Sequence, residues 1–277
     1  MDLQEQKKFI QLKEVIRKKS PNFAKWIPEP LFRYLKRIIH EDEINYIMRT
    51  YHDKFGLDFV DSLLKELNVT VHLEGVENIP VEENVIFASN HPLGGLDGVA
   101  FMQAIGKYKK NVKFLVNDIL MNVRNLEPLF VPVNKLGEQS KSGIMAIENA
   151  YGADQALLVF PAGLVSRKRN GKIVDLEWKK SFINKAKKYK KDIVPVYIEG
   201  RNSNFFYNLA RIRSWLGIKA NIEMLYLPDE MFSQRGKRIT IRIGKKIPYT
   251  TFDKRNNERQ WAAIVKNMVY SIADGKK

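Results

Sequence analysis

The stretch Asn90-His91-Pro92-Leu93-Gly94-Gly95-Leu96-Asp97-Gly98 sets an imidazole and a carboxylate six positions apart around two glycines. Imidazole titrates near neutrality, and a carboxylate on one ring nitrogen fixes the tautomer and stabilises the cation formed when the other nitrogen takes a proton. Glycine lets the backbone turn tightly enough for the two groups to face each other. The pair therefore has the makings of a general base. It has an equally simple structural reading, in which Asp97 caps a helix beginning at Gly98 and His91 serves only the turn. A second stretch, Phe160-Pro161-Ala162-Gly163-Leu164-Val165-Ser166-Arg167, holds a Pro-x-Gly turn that exposes backbone amides and an arginine whose fork suits a phosphate or carboxylate. Taken alone, it is a common turn followed by a solvated arginine.

Both stretches follow apolar runs of strand length, VIFAS (85–89) and ALLVF (156–160). Further runs are VTVHLEG (69–75), VKFLV (112–116), FVPV (130–133), IVPVYI (193–198), IEMLYL (222–227) and ITIRI (239–243). Between them, 97–108, 139–151, 176–190, 203–216 and 257–273 carry apolar residues at spacings of three and four, the helical signature. Strand–helix alternation predicts an α/β fold, with a mixed, largely parallel sheet flanked by helices. The ligand-bearing positions of such a sheet are the loops beyond its strand ends, where both stretches fall. Residues 1–67 lack a period-two segment. Their apolar positions, among them Phe9, Leu12, Ile16, Leu31, Leu35 and Ile47, recur at helical spacing, with breaks at Ser20-Pro21 and Pro28-Glu29-Pro30. The expected organisation is a helical N-terminal extension over 1–67 and a catalytic domain over 68–277.

The order of these segments resembles that of the lysophospholipid acyltransferase superfamily, the glycerolipid acyltransferases of the 1-acylglycerol-3-phosphate acyltransferase type. That family carries a His-x4-Asp block, an apolar block ending near a proline, a Phe-Pro-Glu-Gly block and a Val-Pro-Val block. Here the same order reads NHPLGGLD at 90–97, LFVPVN at 129–134, FPAGLVSR at 160–167 and IVPVYI at 193–198. Two features depart from it: five residues separate His91 from Asp97, and Ala162 stands where the family has glutamate. Both are similar to the hemolysin-related branch, which includes O-acyltransferases that make ornithine lipids and related amino-acid lipids. The resemblance implies that His91 takes the proton of an acceptor hydroxyl, that Asp97 orients it, and that the hydroxyl attacks an acyl thioester directly. It further implies a substrate-binding set of Asn90, Gly94, Gly95, Phe160, Pro161, Ala162, Gly163, Ser166 and Arg167. Arg167 is expected to hold the acceptor's anionic group, first a carboxylate of an N-acylated amino-acid lipid and, as the alternative, a lysophospholipid head group. The thioester is that of acyl carrier protein, or of coenzyme A, and no metal or other cofactor is implied.

Lys and Arg number 47 against 31 Asp and Glu, a formal charge of +16 that points to anionic partners. Cysteine is absent, which excludes thiolate nucleophiles, disulfides and Cys-type zinc sites. Between Val165 and Lys191 there are 11 basic residues against Asp175 and Glu177. A helix there would set Trp178, Phe182, Ala186 and Tyr189 on one face and Lys179, Lys180, Lys187 and Lys188 on the other, as a solvated face or as a dock for acyl carrier protein or an anionic membrane surface. Two other segments mix aromatics with basic residues in the same way, Asn204–Leu216 and the region of Trp26, Phe32 and Tyr34. Histidines 40, 52 and 72 read as structural or surface residues. No run approaches the roughly 18 apolar residues a spanning helix needs, so the expected location is cytoplasmic, peripheral on the inner face of the cytoplasmic membrane. A non-catalytic membrane or nucleic-acid binder is the distant alternative, but no nucleic-acid motif accompanies the charge.

Overall fold

A computed structural model describes residues 11–19, 27–133 and 141–273. Phe9, Ser20, Pro21, Trp26 and Asn134, singled out above, lie outside them. The chain opens with helices α1 (Leu12–Lys19), α2 (Glu29–Ile38), α3 (Glu41–Thr50) and α4 (Leu57–Glu66). Strands β1 (Thr70–Glu74) and β2 (Val85–Ser89) lead into α5 (Gly95–Gly106). Next come β3 (Val112–Asn117), β4 (Phe130–Val133), α6 (Lys141–Gly152), β5 (Ala156–Val159) and a hairpin of β6 (Arg167–Arg169) and β7 (Lys172–Val174). The chain closes with α7 (Ser181–Tyr189), β8 (Asp192–Ile198), α8 (Asn204–Trp215), α9 (Leu227–Phe232), β9 (Arg238–Ile243) and α10 (Glu258–Ala273).

The seven-stranded sheet has the order β1-β9-β8-β2-β5-β3-β4, parallel at every pairing but the antiparallel β8–β9. The expected mixed, largely parallel sheet is what forms. Strand β2 is buried along its whole length, as a central strand covered on both faces must be. Its residues divide by parity: Val85 and Phe87 join a core shared with α3, α4 and α5, whereas Ile86 and Ala88 join one shared with α6, α7 and α10. Helix α5 is buried on nearly every side, between the sheet, α4 and α9. Gly98 makes that approach possible, since a Cβ there would come within 2.9 Å of the Phe114 ring.

Two expectations fail at the level of elements, and one element forms that none of them covers. Residues 222–227 form no strand; a 3-10 turn (Ile222–Tyr226) runs into α9 instead. Short apolar runs do not distinguish strand from helix, and Pro228, near the start of α9, favours the helix. The predicted helix over 176–190 begins only at Ser181, because the segment before it is drawn along the site loops by Asp175 and Trp178. The β6–β7 hairpin was not expected, although Asn170-Gly171, with φ of 48° and 78°, is the dipeptide that most favours such a two-residue turn.

Candidate active site

Strands β2 and β5 are adjacent and parallel, with Ala88 opposite Val159, so the loops that follow them emerge side by side at the carboxyl edge of the sheet. His91 and Asp97 meet across the first loop. The Nδ1 atom of His91 lies 3.0 Å from each carboxylate oxygen of Asp97, and the backbone N–H of Leu93 donates to one of those oxygens at 2.8 Å. Asp97 is fully buried in the first turn of α5, while the His91 ring keeps a partly exposed edge. A buried carboxylate on Nδ1 makes Nδ1–H the donor and leaves Nε2 as the basic nitrogen. Among the described residues no group hydrogen-bonds Nε2. Gly94 holds a φ of +81°, and a Cβ there would strike Leu227 of α9 at 2.9 Å, so the turn that folds His91 over Asp97 requires glycine.

The second loop supplies the floor. Phe160 stacks on His91, with ring centroids 4.1 Å apart and planes 18° from parallel, and packs in turn against Phe101 and Phe114. The imidazole is thereby fixed in plane by an apolar ring and in rotation by Asp97. Gly163, with φ +67°, closes the turn by donating to the Phe160 carbonyl, and Ala162 is buried in the core against α7 and α10. Ser166 clamps the two loops together: its N–H donates to the His91 carbonyl at 2.7 Å, and its hydroxyl donates to Asp175 at 2.5 Å.

Asp175 is the group that sequence reasoning missed. One carboxylate oxygen accepts from the His91 N–H and from Ser166, and the other accepts from the Trp178 indole N–H at 2.8 Å. From α10, the Lys266 ammonium donates to its backbone carbonyl, while its own N–H donates to the Tyr270 hydroxyl. Burial raises its pKa above the usual carboxylate value, opposed by these hydrogen bonds and by the charge of His91. It lies 84 positions from His91 and had been counted only as one acid in a basic stretch, so no short-range spacing marks it.

Two residues sit differently from their expected roles. Asn90 is not aimed at a substrate: its amide donates to the Ile198 carbonyl at 2.9 Å and accepts from the Ile198 N–H at 2.7 Å, extending the β2–β8 ladder past Ser89. Arg167 does not present an empty fork. Its guanidinium meets the fully buried Glu223 at 2.7 Å, donates to the Val165 carbonyl and lies 5.5 Å from the centre of the Phe206 ring. Glu223 also pairs with Arg213 at 2.8 Å. Of the four lysines singled out, Lys179 and Lys180 are exposed on the approach to α7, Lys187 pairs with Glu258 and Lys188 with Glu148. His40 packs against Phe232 and reaches Glu43 and Asp229, away from the site.

A family model described as "Acyltransferase" matches residues 14–275, nearly the whole chain. The chain belongs to the acyltransferase family. Membership in the glycerolipid acyltransferase superfamily, implied by the order of the four blocks, therefore holds, and the chain is an enzyme, an acyltransferase. A curated relative from Bacteroides thetaiotaomicron, named "Lyso-glycine lipid O-acyltransferase", is 49% identical over 264 residues, covering 95% of this chain and 97% of that protein. A relative of the same name from Phocaeicola vulgatus is 46% identical, covering 95% of each chain. A more distant likeness, at TM-score 0.45 and 19% identity, covers 87% of this chain and 95% of a solved 1-acyl-sn-glycerophosphate acyltransferase, PlsC, from Thermotoga maritima. Among the described residues no helix is long and apolar enough to cross a membrane.

Proposed function

We propose that this acyltransferase moves a fatty acyl chain from an acyl thioester to the hydroxyl of a lyso-glycine lipid, a glycine N-acylated with a hydroxyacyl chain. The observation that carries the reading is the similarity along nearly the whole chain to two relatives bearing that name. The acceptor hydroxyl approaches Nε2 of His91 and gives up its proton as its oxygen attacks the thioester carbonyl. Asp97 on Nδ1 stabilises the imidazolium that forms. The tetrahedral intermediate collapses by breaking the C–S bond, and the leaving thiolate takes the proton from the imidazolium, giving ester and thiol. General-base assistance of this kind contributes about two to four orders of magnitude.

Ala162 supports an acceptor without a glycerol phosphate, because the position to which the family's glutamate maps is here a buried methyl group. Acyl carrier protein is the preferred donor: it is acidic, and the exposed Lys179 and Lys180 lead into a helix carrying further lysines. The substrate is a lipid, and peripheral attachment to an anionic membrane face brings the two together. The test is turnover by the purified enzyme of lyso-glycine lipid and lysophosphatidic acid, each supplied with acyl carrier protein and coenzyme A thioesters. Preferential formation of the diacylated glycine lipid is expected. Preference for lysophosphatidic acid overturns the acceptor assignment, and equal use of both thioesters overturns the donor assignment.

A further inference from the structure

A group of apolar residues that the core leaves out lies together at the end of α8. Trp215 is 84% exposed, Leu216 57% and Ile212 50%, and Ile218 just beyond the helix is also open. The N–H groups that end the helix are tied: Leu216 N–H donates to Ile212, Gly217 to Ser214 and Ile218 to Arg213, with Gly217 in the left-handed conformation at φ +69°. The side chains therefore project from a closed helix cap whose N–H groups are already satisfied, which lowers the cost of bringing that backbone toward an apolar phase. The same tip is basic. From Gly200 to Ile222 there is no Asp or Glu, while Arg201, Arg211, Arg213 and Lys219 are present. The acid that follows, Glu223, is buried between Arg167 and Arg213.

We infer that the α8 cap, led by Trp215, Leu216 and Ile212, is the element that inserts into the headgroup region of an anionic bilayer. Tryptophan and branched aliphatics on a positively charged, capped helix end match the chemistry of that interface, with the rings and aliphatic chains at the acyl boundary and Arg211 and Lys219 at the phosphates. Position in the molecule adds to the argument. The buried side of α8 touches the site, since Phe206 lies against Arg167 and packs with Val165, so a bilayer engaged by the exposed side lies one helix away from the loop next to His91. The inference rests on the lipid acceptor of the proposed function, and names the surface through which the enzyme reaches it.

The experiment measures binding separately from turnover. Wild-type protein and a Trp215→Glu/Leu216→Glu double variant are floated with vesicles of phosphatidylcholine alone and with added phosphatidylglycerol. Both positions are exposed, so thermal unfolding is expected to be unchanged. The double variant should bind the anionic vesicles at least about tenfold more weakly, the effect of withdrawing two large apolar side chains from an apolar phase. Trp215 emission, taken as the difference between wild type and Trp215→Phe, should be quenched by brominated acyl chains. Acyl transfer to acceptor in vesicles should fall with binding, while transfer to acceptor in detergent micelles stays at the wild-type rate. Unchanged vesicle binding overturns the inference, as does absence of wild-type binding or a wild-type dimer in sedimentation that the double variant dissociates. Failure of the lipid-acceptor reading looks different: micellar transfer to the lyso-lipid is then absent from wild type and variant alike, whatever the vesicles show.

Discussion

The parallel strands of the sheet bury charge at both ends, and the two ends treat it differently. At the carboxyl edge, Asp97 faces an imidazole, Asp175 accepts from Ser166, Trp178 and the His91 backbone, and Glu223 sits between two arginines. At the amino edge, Lys191 is fully buried and donates to Asn84 and to the carbonyls of Ala153 and Gln155, while Lys109 donates to the carbonyls of Pro80, Val81 and Glu82. These lysines staple the loops that enter β2, β5 and β8. Burial lowers both ammonium pKa values, that of Lys191 to about 8. A buried, perturbed charge is thus no sign of chemistry by itself. What separates the two edges is the partner: backbone carbonyls absorb a charge permanently, whereas an imidazole beside a carboxylate can accept and release a proton.

The difference is sharpest at His91. His91→Ala should leave a folded protein whose acyl transfer is at least about a hundredfold slower, and Asp97→Asn should come close to it by stabilising the wrong tautomer. Near-normal turnover by folded His91→Ala would erase the distinction between the edges. Asp175→Asn comes next. Replacing one acceptor oxygen by a donor opposes at least one of the N–H and O–H groups aimed at it, at a cost of about 1–3 kcal/mol in stability. Displacement of the His91 loop should lower kcat roughly ten- to a hundredfold with little change in either KM. A loss confined to stability would class Asp175 with the lysines of the amino edge.

Arg167→Lys is expected to raise the acceptor KM by about three- to tenfold if the fork leaves Glu223 to hold the acceptor carboxylate, since lysine lacks the bidentate geometry. A change in thermal stability with both KM values intact would mean that the arginine serves Glu223 alone. The smallest effect on activity belongs to Lys191→Met, which should retain wild-type kcat. Its signature is in stability against pH. The folded pKa of Lys191 lies below the unfolded value, so between about pH 8 and 10 the unfolded chain binds more protons, and wild-type stability should rise by at most about 1.4 kcal/mol per pH unit. That contribution should vanish in Lys191→Met, which denaturant titrations at about pH 8 and about pH 10, the two ends of this window, would resolve. An unchanged slope would show that Lys191 does not titrate there.

How much of this is written in the chain depends on the reach of each interaction. The alternation of β-branched runs with three-and-four spacing specifies the α/β sheet, because periodicity follows from local backbone geometry. His91 and Asp97 are legible for the same reason: six residues, two of them glycine, suffice to bring them together. Four blocks in order point to the family, and Asn170-Gly171 is a local signal for the hairpin between β6 and β7. The partners of Arg167, Asn90 and Asp175 lie 56, 108 and 84 positions away, where spacing carries no information. Only the folded sheet, which sets β2 between β5 and β8, decides that Asn90 is spent on Ile198, that Glu223 fills the arginine fork and that Asp175 joins the two loops. The same holds for α8, whose aromatic and aliphatic residues read equally well as core or surface until tertiary packing buries Phe206 and leaves Trp215 outside. Burial is a property of which elements meet, and chain-local chemistry does not contain it.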